Sequence, residues 1–144
     1  MKDYKHILLA TDLSGQSDIV AKRAREIADE SKAKLSVVYV MEHSPVAYGG
    51  EYSIPIDANL EESLEKKAES SLAKLGNKFN IASDNQHVSS GSVKLGVIDT
   101  AEEIKADLIV VGTHSHHGLE AILGSRASAI LNHAKCDVLV VRVG

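Results

Sequence analysis

Two short runs constrain this chain more than anything else in it. They are HILLATD, His6 to Asp12, and DLIVVGT, Asp107 to Thr113. Inside each run the residues are apolar without interruption. A strand with one face in water alternates apolar and polar residues, so an unbroken apolar strand is buried on both faces. Two such strands need covering layers above and below. The rest of the chain must supply them.

The intervening sequence has the periodicity of helices. In SGQSDIVAKRAREIADESK, residues Ile19, Val20, Ala24, Ile27 and Ala28 form one apolar stripe. In ANLEESLEKKAESSLAKLGNKF the stripe is Leu60, Leu64, Ala68, Leu72, Leu75 and Phe79. Asn59 is a cap candidate there, and Glu61, Glu62 and Glu65 suit the N-terminal half. SVKLGVIDTAEEIKA carries Val93, Val97, Ala101 and Ile104 on one face, and RASAILNHA reads as a last helix. Ala33–Glu42 is a second strand rich in β-branched residues, Asn85–Gly91 a short weak one, and Asp137–Val143 the last. His43–Asp57 holds both prolines and a Gly-Gly pair and reads as a long loop.

Strand and helix thus alternate to the end. That pattern predicts an α/β fold: a five-stranded parallel doubly wound sheet, Rossmann-like, with helices on both faces. The chain of 144 residues is the size of one domain, 1–144, and at that length roughly 70% of the unfolded surface can be buried. The strand order reverses beside the first strand. Ligands of such sheets bind beyond the carboxyl ends of the strands at the reversal. Ala10, Thr11 and Asp12 on one side, and Gly112 and Thr113 on the other, are therefore the positions to watch.

Composition narrows the partners. With one Phe and no Trp the core must be aliphatic. A net charge of −4, no basic tract and no aromatic stacking platform argue against nucleic acid. No apolar run approaches the roughly 20 residues of a membrane span, and MKDYKHILLATD is too soon polar for a signal peptide. Lone Cys136 excludes an intrachain disulfide, fits a reducing compartment and reads as a buried, inert thiol. The expectation is a cytoplasmic protein.

The segment VVGTHSHHGLEAILGS, Val110 to Ser125, is where chemistry is concentrated. Gly112 ends a strand, where a missing Cβ admits a ligand close to backbone. Gly124 precedes Ser125, a good N-cap for the following helix, whose unpaired N–H groups attract anions. Gly112 and Ser125 are placed to hold a phosphate chain from two sides. A plain strand–loop–helix joint has the same composition, so both readings stand. There is no Walker A loop and no GxGxxG after the first strand. His114, His116 and His117 form H-x-H-H, but no third and fourth ligand or second shell is evident, and no metal site is assigned. Asp12 either bonds ribose hydroxyls or simply forms a turn.

Other site types fit less well. A phospho-acceptor receiver needs an Asp after the third strand and a Lys after the fifth; HVSSG and VLVVRVG lack them. TDLSGQS loosely resembles a flavodoxin phosphate loop, with only Tyr48 and Tyr52 as partners for a flavin ring. No G-x-S-x-G elbow or acid–base pair marks a hydrolase, and no catalytic residue is assigned.

YKHILLATDLSGQS, KLSVVYVME and DLIVVGTHSHHGLEAILGSRASAILNHAKCDVLVVRV, in that order, resemble the A-type bacterial universal stress protein family over essentially the whole chain. The resemblance implies a five-stranded fold of the adenine nucleotide alpha hydrolase-like kind. It implies a cytosolic stress-response protein, not an established enzyme. It also implies a homodimer through antiparallel pairing of the last strands, here Val138, Leu139, Val140, Val141 and Arg142.

Some members bind ATP, with Mg, and some do not. In binders Asp12 would meet ribose or adenine, Val40 would present backbone to adenine, and Gly112, Ser115, Gly124 and Ser125 would hold phosphates. Binders resemble G-x-x-G, nine residues, then G-S/T. Here Ser115 replaces the second glycine, His116 follows where Arg is common, and eight residues separate Ser115 from Gly124. One residue is about 100° of helix rotation and about 1.5 Å of rise, which changes how Gly124 faces Gly112. Three functional classes follow: a stress protein with nucleotide bound or acting through protein partners alone, a weak ATPase or nucleotide-gated switch, and a metal-responsive protein using the loop histidines.

Overall fold

The computed structural model describes residues 3–42, 58–113 and 125–143. In chain order the elements are β1 (His6–Thr11), α1 (Ser17–Ser31), β2 (Lys34–Met41), α2 (Ala58–Phe79), β3 (Gln86–Ser90), α3 (Val93–Ile104), β4 (Leu108–Gly112), α4 (Ser125–His133) and β5 (Asp137–Val141). The five strands form one parallel sheet in the order β3-β2-β1-β4-β5. The order reverses at β1.

The unbroken apolar runs explain the layering. Ile7, Leu8 and Leu9 of β1 are fully buried. Successive side chains of a strand point to opposite faces. Ile7 and Leu9 therefore join one core with Val20, Ala21 and Ala24 of α1 and Leu72 and Leu75 of α2. Leu8 joins the other, with Val97 and Ala101 of α3 and Ala127 and Ile130 of α4. β4 divides likewise: Leu108 and Val110 face the first core, Ile109 and Val111 the second.

Helical periodicity located the stripes but not their limits. Ile19 is 51% exposed, and Ala21 takes a place in the core instead. Leu64 is 49% exposed, whereas Ala68, Leu72 and Leu75 of the same stripe are buried. Asn59 has helical backbone, one residue inside α2, and is not its cap. A cap that sequence reading passed over is Ser92, whose Oγ accepts from the Leu95 N–H at 3.3 Å. Cys136 is half-buried against the second core rather than fully enclosed. Among the described residues no helix is long and apolar enough to cross a membrane. The segment His43–Asp57, with Tyr48 and Tyr52, lies outside the described residues.

α3 packs unusually tightly on the sheet. A Cβ on Gly96 would stand 2.7 Å from Val40 Cγ2, inside any normal contact. The glycine is thus required by packing against β2. Gly96→Val should destabilise the protein by about 1–3 kcal/mol through overpacking. Urea unfolding checks this, and an unchanged midpoint would contradict the close approach.

Candidate functional site

The ladders place the candidate site. β1 stays paired with β2 as far as Thr11 opposite Tyr39. β4 stays paired with β5 as far as Gly112 opposite Val141. Between β1 and β4 the pairing stops earlier, at Leu9 opposite Val110. The ladder between the two central strands thus stops short of their last residues, at the switch in strand order, where ligands of such sheets dock in a crevice. Ala10, Thr11 and Asp12 border it from one side, and Gly112 and Thr113 from the other.

The loop after β1 is organised by its own side chains. Thr11 Oγ1 accepts from the Leu13 N–H at 3.1 Å, and Asp12 Oδ1 accepts from the Ser14 N–H at 2.9 Å. Ser14 Oγ accepts from the Gln16 N–H at 3.3 Å. Such turns are the usual work of Asp, Ser and Thr. The turn-forming role of Asp12 is therefore real, yet its side chain remains exposed beside the crevice. Leu13 holds a left-handed φ of 56°, uncommon for a branched side chain, and packs onto the first core.

Gly112 serves a purpose that sequence reading did not anticipate. A Cβ there would meet Val20 Cγ2 and Val143 Cγ2, each at 3.1 Å. The missing side chain makes room for α1 and for the segment after β5, so close packing of protein already explains the glycine. Thr113 fastens that same segment. Its N–H donates to the Val141 carbonyl at 2.9 Å, and its Oγ1 accepts from the Val143 N–H at 3.0 Å.

Val40 is buried in β2, opposite Ser89 of β3, with its side chain against Gly96. Ser125 has helical backbone within α4 and is not its cap. Ser115, Gly124 and the triplet His114, His116 and His117 lie outside the described residues. β5 is the last strand of the sheet, and Val138 to Val141 are only partly buried there.

The amino ends of the strands hold a polar network that sequence reading missed. The Asp107 carboxylate accepts from the Lys5 and His6 N–H groups at 2.9 and 3.0 Å. Tyr4 donates to Asp137 Oδ2 at 2.9 Å, and that hydrogen bond raises the phenol above its ordinary pKa. His6 joins Ile104 and Ser36; burial, then Lys34, lower its pKa below the usual imidazole value. The available signal was polar: His6 heads an apolar run and Ser36 interrupts another.

An open parallel sheet with a split at its central pair defines the Rossmann-like, doubly wound class of α/β protein. The model of the Universal stress protein family matches residues 3–142. Universal stress protein A homolog 1 of Coxiella burnetii is 56% identical, the match covering 96% of this chain and 96% of that one. Universal stress protein A homolog 2 of the same organism is 35% identical over 99% and 98% of the two chains. Among solved structures, the universal stress protein UspA from Lactobacillus plantarum superposes with a TM-score of 0.78 at 24% identity, covering 99% of this chain and 100% of that one. A universal stress protein solved in complex with cAMP gives a TM-score of 0.68 at 24% identity, covering 98% of each. This chain belongs to the universal stress protein family.

The clasp at the end of β4 yields a direct test. Thr113→Val removes the acceptor for the Val143 N–H and should cost about 0.5–1.5 kcal/mol. Hydrogen exchange at the Val143 amide should rise sharply while the β1 amides stay protected. Equal protection in both proteins would show that the clasp does not hold the chain end.

Proposed function

We propose that this chain is a cytoplasmic stress-response protein that acts as a homodimer and binds an adenine nucleotide in the crevice between β1 and β4. The observation that carries the reading is the early end of the β1–β4 ladder at Leu9 and Val110. It leaves a gap at the carboxyl ends of the two central strands, where ligands of this fold class dock. In this reading Asp12, with Ala10 and Thr11, meets the ribose and the Val40 backbone meets adenine. Ser115, Gly124 and Ser125 take the phosphates, with Mg accompanying them. The cAMP complex of a family relative supports an adenine nucleotide as the ligand class.

The residues present fit this ligand unevenly. Exposed Asp12 on its preformed turn suits a ribose. Gly112 is less suited to a phosphate, since Val20 and Val143 already fill the space a Cβ would take. The α4 N-terminus, where unpaired N–H groups gather, is the better anion partner. Ser125 therefore weighs more in this reading than Gly112.

Calorimetric titration with ATP and Mg²⁺ tests the proposal. Binding is expected, with Asp12→Ala weakening it about tenfold, the loss of roughly one charge-assisted hydrogen bond. Gly124→Val should abolish it in a chain that still unfolds cooperatively. An absence of heat at millimolar ATP would contradict nucleotide binding.

Dimerisation rests on β5. A partly buried apolar edge strand invites pairing with a second copy. Val140→Lys should convert the protein to a monomer on a sizing column; a persistent dimer would place the interface elsewhere.

A further inference from the structure

We propose that His6 is an acid-operated latch on the corner between α3 and β4. This inference concerns the amino ends of the strands and is independent of the nucleotide reading.

The geometry fixes the protonation pattern of the ring. Nδ1 lies 3.0 Å from the carbonyl oxygen of Ile104, the last residue of α3. A carbonyl only accepts, so Nδ1 carries the proton. Nε2 lies 2.7 Å from Ser36 Oγ, and in the neutral ring it accepts the serine proton. Ser36 is 1% exposed, so its hydroxyl is shut off from water. Neutral His6 thus satisfies one buried donor and one helix-end acceptor together, and it joins β1, β2 and α3.

The same residue holds the corner by its backbone. Its N–H donates to Asp107 Oδ1 at 3.0 Å, and its carbonyl accepts from the Asp107 N–H at 2.9 Å. The turn from Ile104 to Asp107 contains Lys105 at a left-handed φ of 59° and the Ala106 N–H bonded back to Ala101. Side chain and backbone of His6 therefore act on one short turn.

Protonation keeps the Ile104 contact and reverses the direction of the Ser36 one. An imidazolium has a donor at each nitrogen, so Nε2 no longer accepts from Ser36. Nε2–H can then only donate to Ser36 Oγ, and the hydroxyl must turn its own proton away from the ring in a place without water. The new charge is partly buried and faces Lys34 from β2 and His87 from β3, which oppose it, and Asp107 from the turn before β4, which favours it. α3 presents the Ile104 carbonyl, which also favours it. Burial is the largest influence, followed by Lys34, and the balance holds His6 below its ordinary value near 6.5. Swinging the ring out to solvent relieves the charge and releases Ile104 and Ser36 in one movement.

The sign of the linkage follows. The folded protein prefers neutral His6 more than the unfolded chain does. The latch contributes its full stability above the ordinary imidazole value and loses it as pH falls toward the lower folded value. The chain would register acidification by loosening a corner far from the crevice.

Nuclear magnetic resonance on the full chain tests this as pH falls from about 8 to about 5, the span in which imidazoles change charge. The ring titration of His6 is followed beside amide exchange at Ala106 and Asp107, corrected for intrinsic rates. Protection there should fall severalfold with the midpoint of the ring titration, while the Thr113 amide keeps its own. Lys34→Met, at an exposed position, should move both midpoints upward together. His6→Asn should make protection independent of pH. Titration of the ring without loss of protection would overturn the latch. So would a loss whose midpoint does not follow Lys34→Met, and that variant keeps the test available if His6→Asn does not fold.

Discussion

Everything in this structure answers to the burial of β1. Ile7, Leu8 and Leu9 are out of contact with water on both faces of the sheet. Each such aliphatic side chain contributes roughly 1.5–3 kcal/mol when enclosed. That gain exists only if the strand's backbone groups are paired, since a buried unpaired N–H or carbonyl costs about as much. β2 and β4 pair them, α1 and α2 cover Ile7 and Leu9, and α3 and α4 cover Leu8. Both neighbours, β2 and β4, follow β1 in the chain but lie on opposite sides of it in the sheet, so the order reverses there. The ladder that ends at Leu9 and Val110 is the local consequence.

Close packing decides where backbone can go around that point. Gly96 lets α3 rest on Val40, and Gly112 lets Val20 and Val143 meet beside the end of β4. Thr113 then ties the segment after β5 to the same place. The rim of the crevice and the end of the edge strand are consequently one packed unit.

Much of the fold was legible in the sequence because it rests on local patterns. Unbroken apolar runs marked β1 and β4, and helical spacing marked the four helices. What escaped has a physical reason in each case. Periodicity gives the direction of a stripe and not where the covered surface ends, so Ile19 and Leu64 were counted inward although both are exposed. The packing of Val20 and Val143 beside Gly112 was not legible, because Val143 is distant in sequence. The pairing of His6 with Ser36 depends on parallel strands brought side by side by α1, and no local pattern encodes it. The ends of β1 and β4 were legible as the place to look. The early parting of their ladder was not, because register is a property of two strands and not of one.

The sheet therefore has two unlike ends. The amino ends are closed by the network of Tyr4, His6, Asp107 and Asp137, and the carboxyl ends of β1 and β4 stand apart. The central claim is that the parted end is the functional one. The most direct measurement is a map of backbone amide shifts in the isotope-labelled chain on addition of ATP and Mg²⁺. The largest changes are expected at Thr11, Asp12, Val40 and Thr113, with His6 and Asp107 unmoved. Largest changes at the amino ends, or none anywhere at saturating nucleotide, would contradict it.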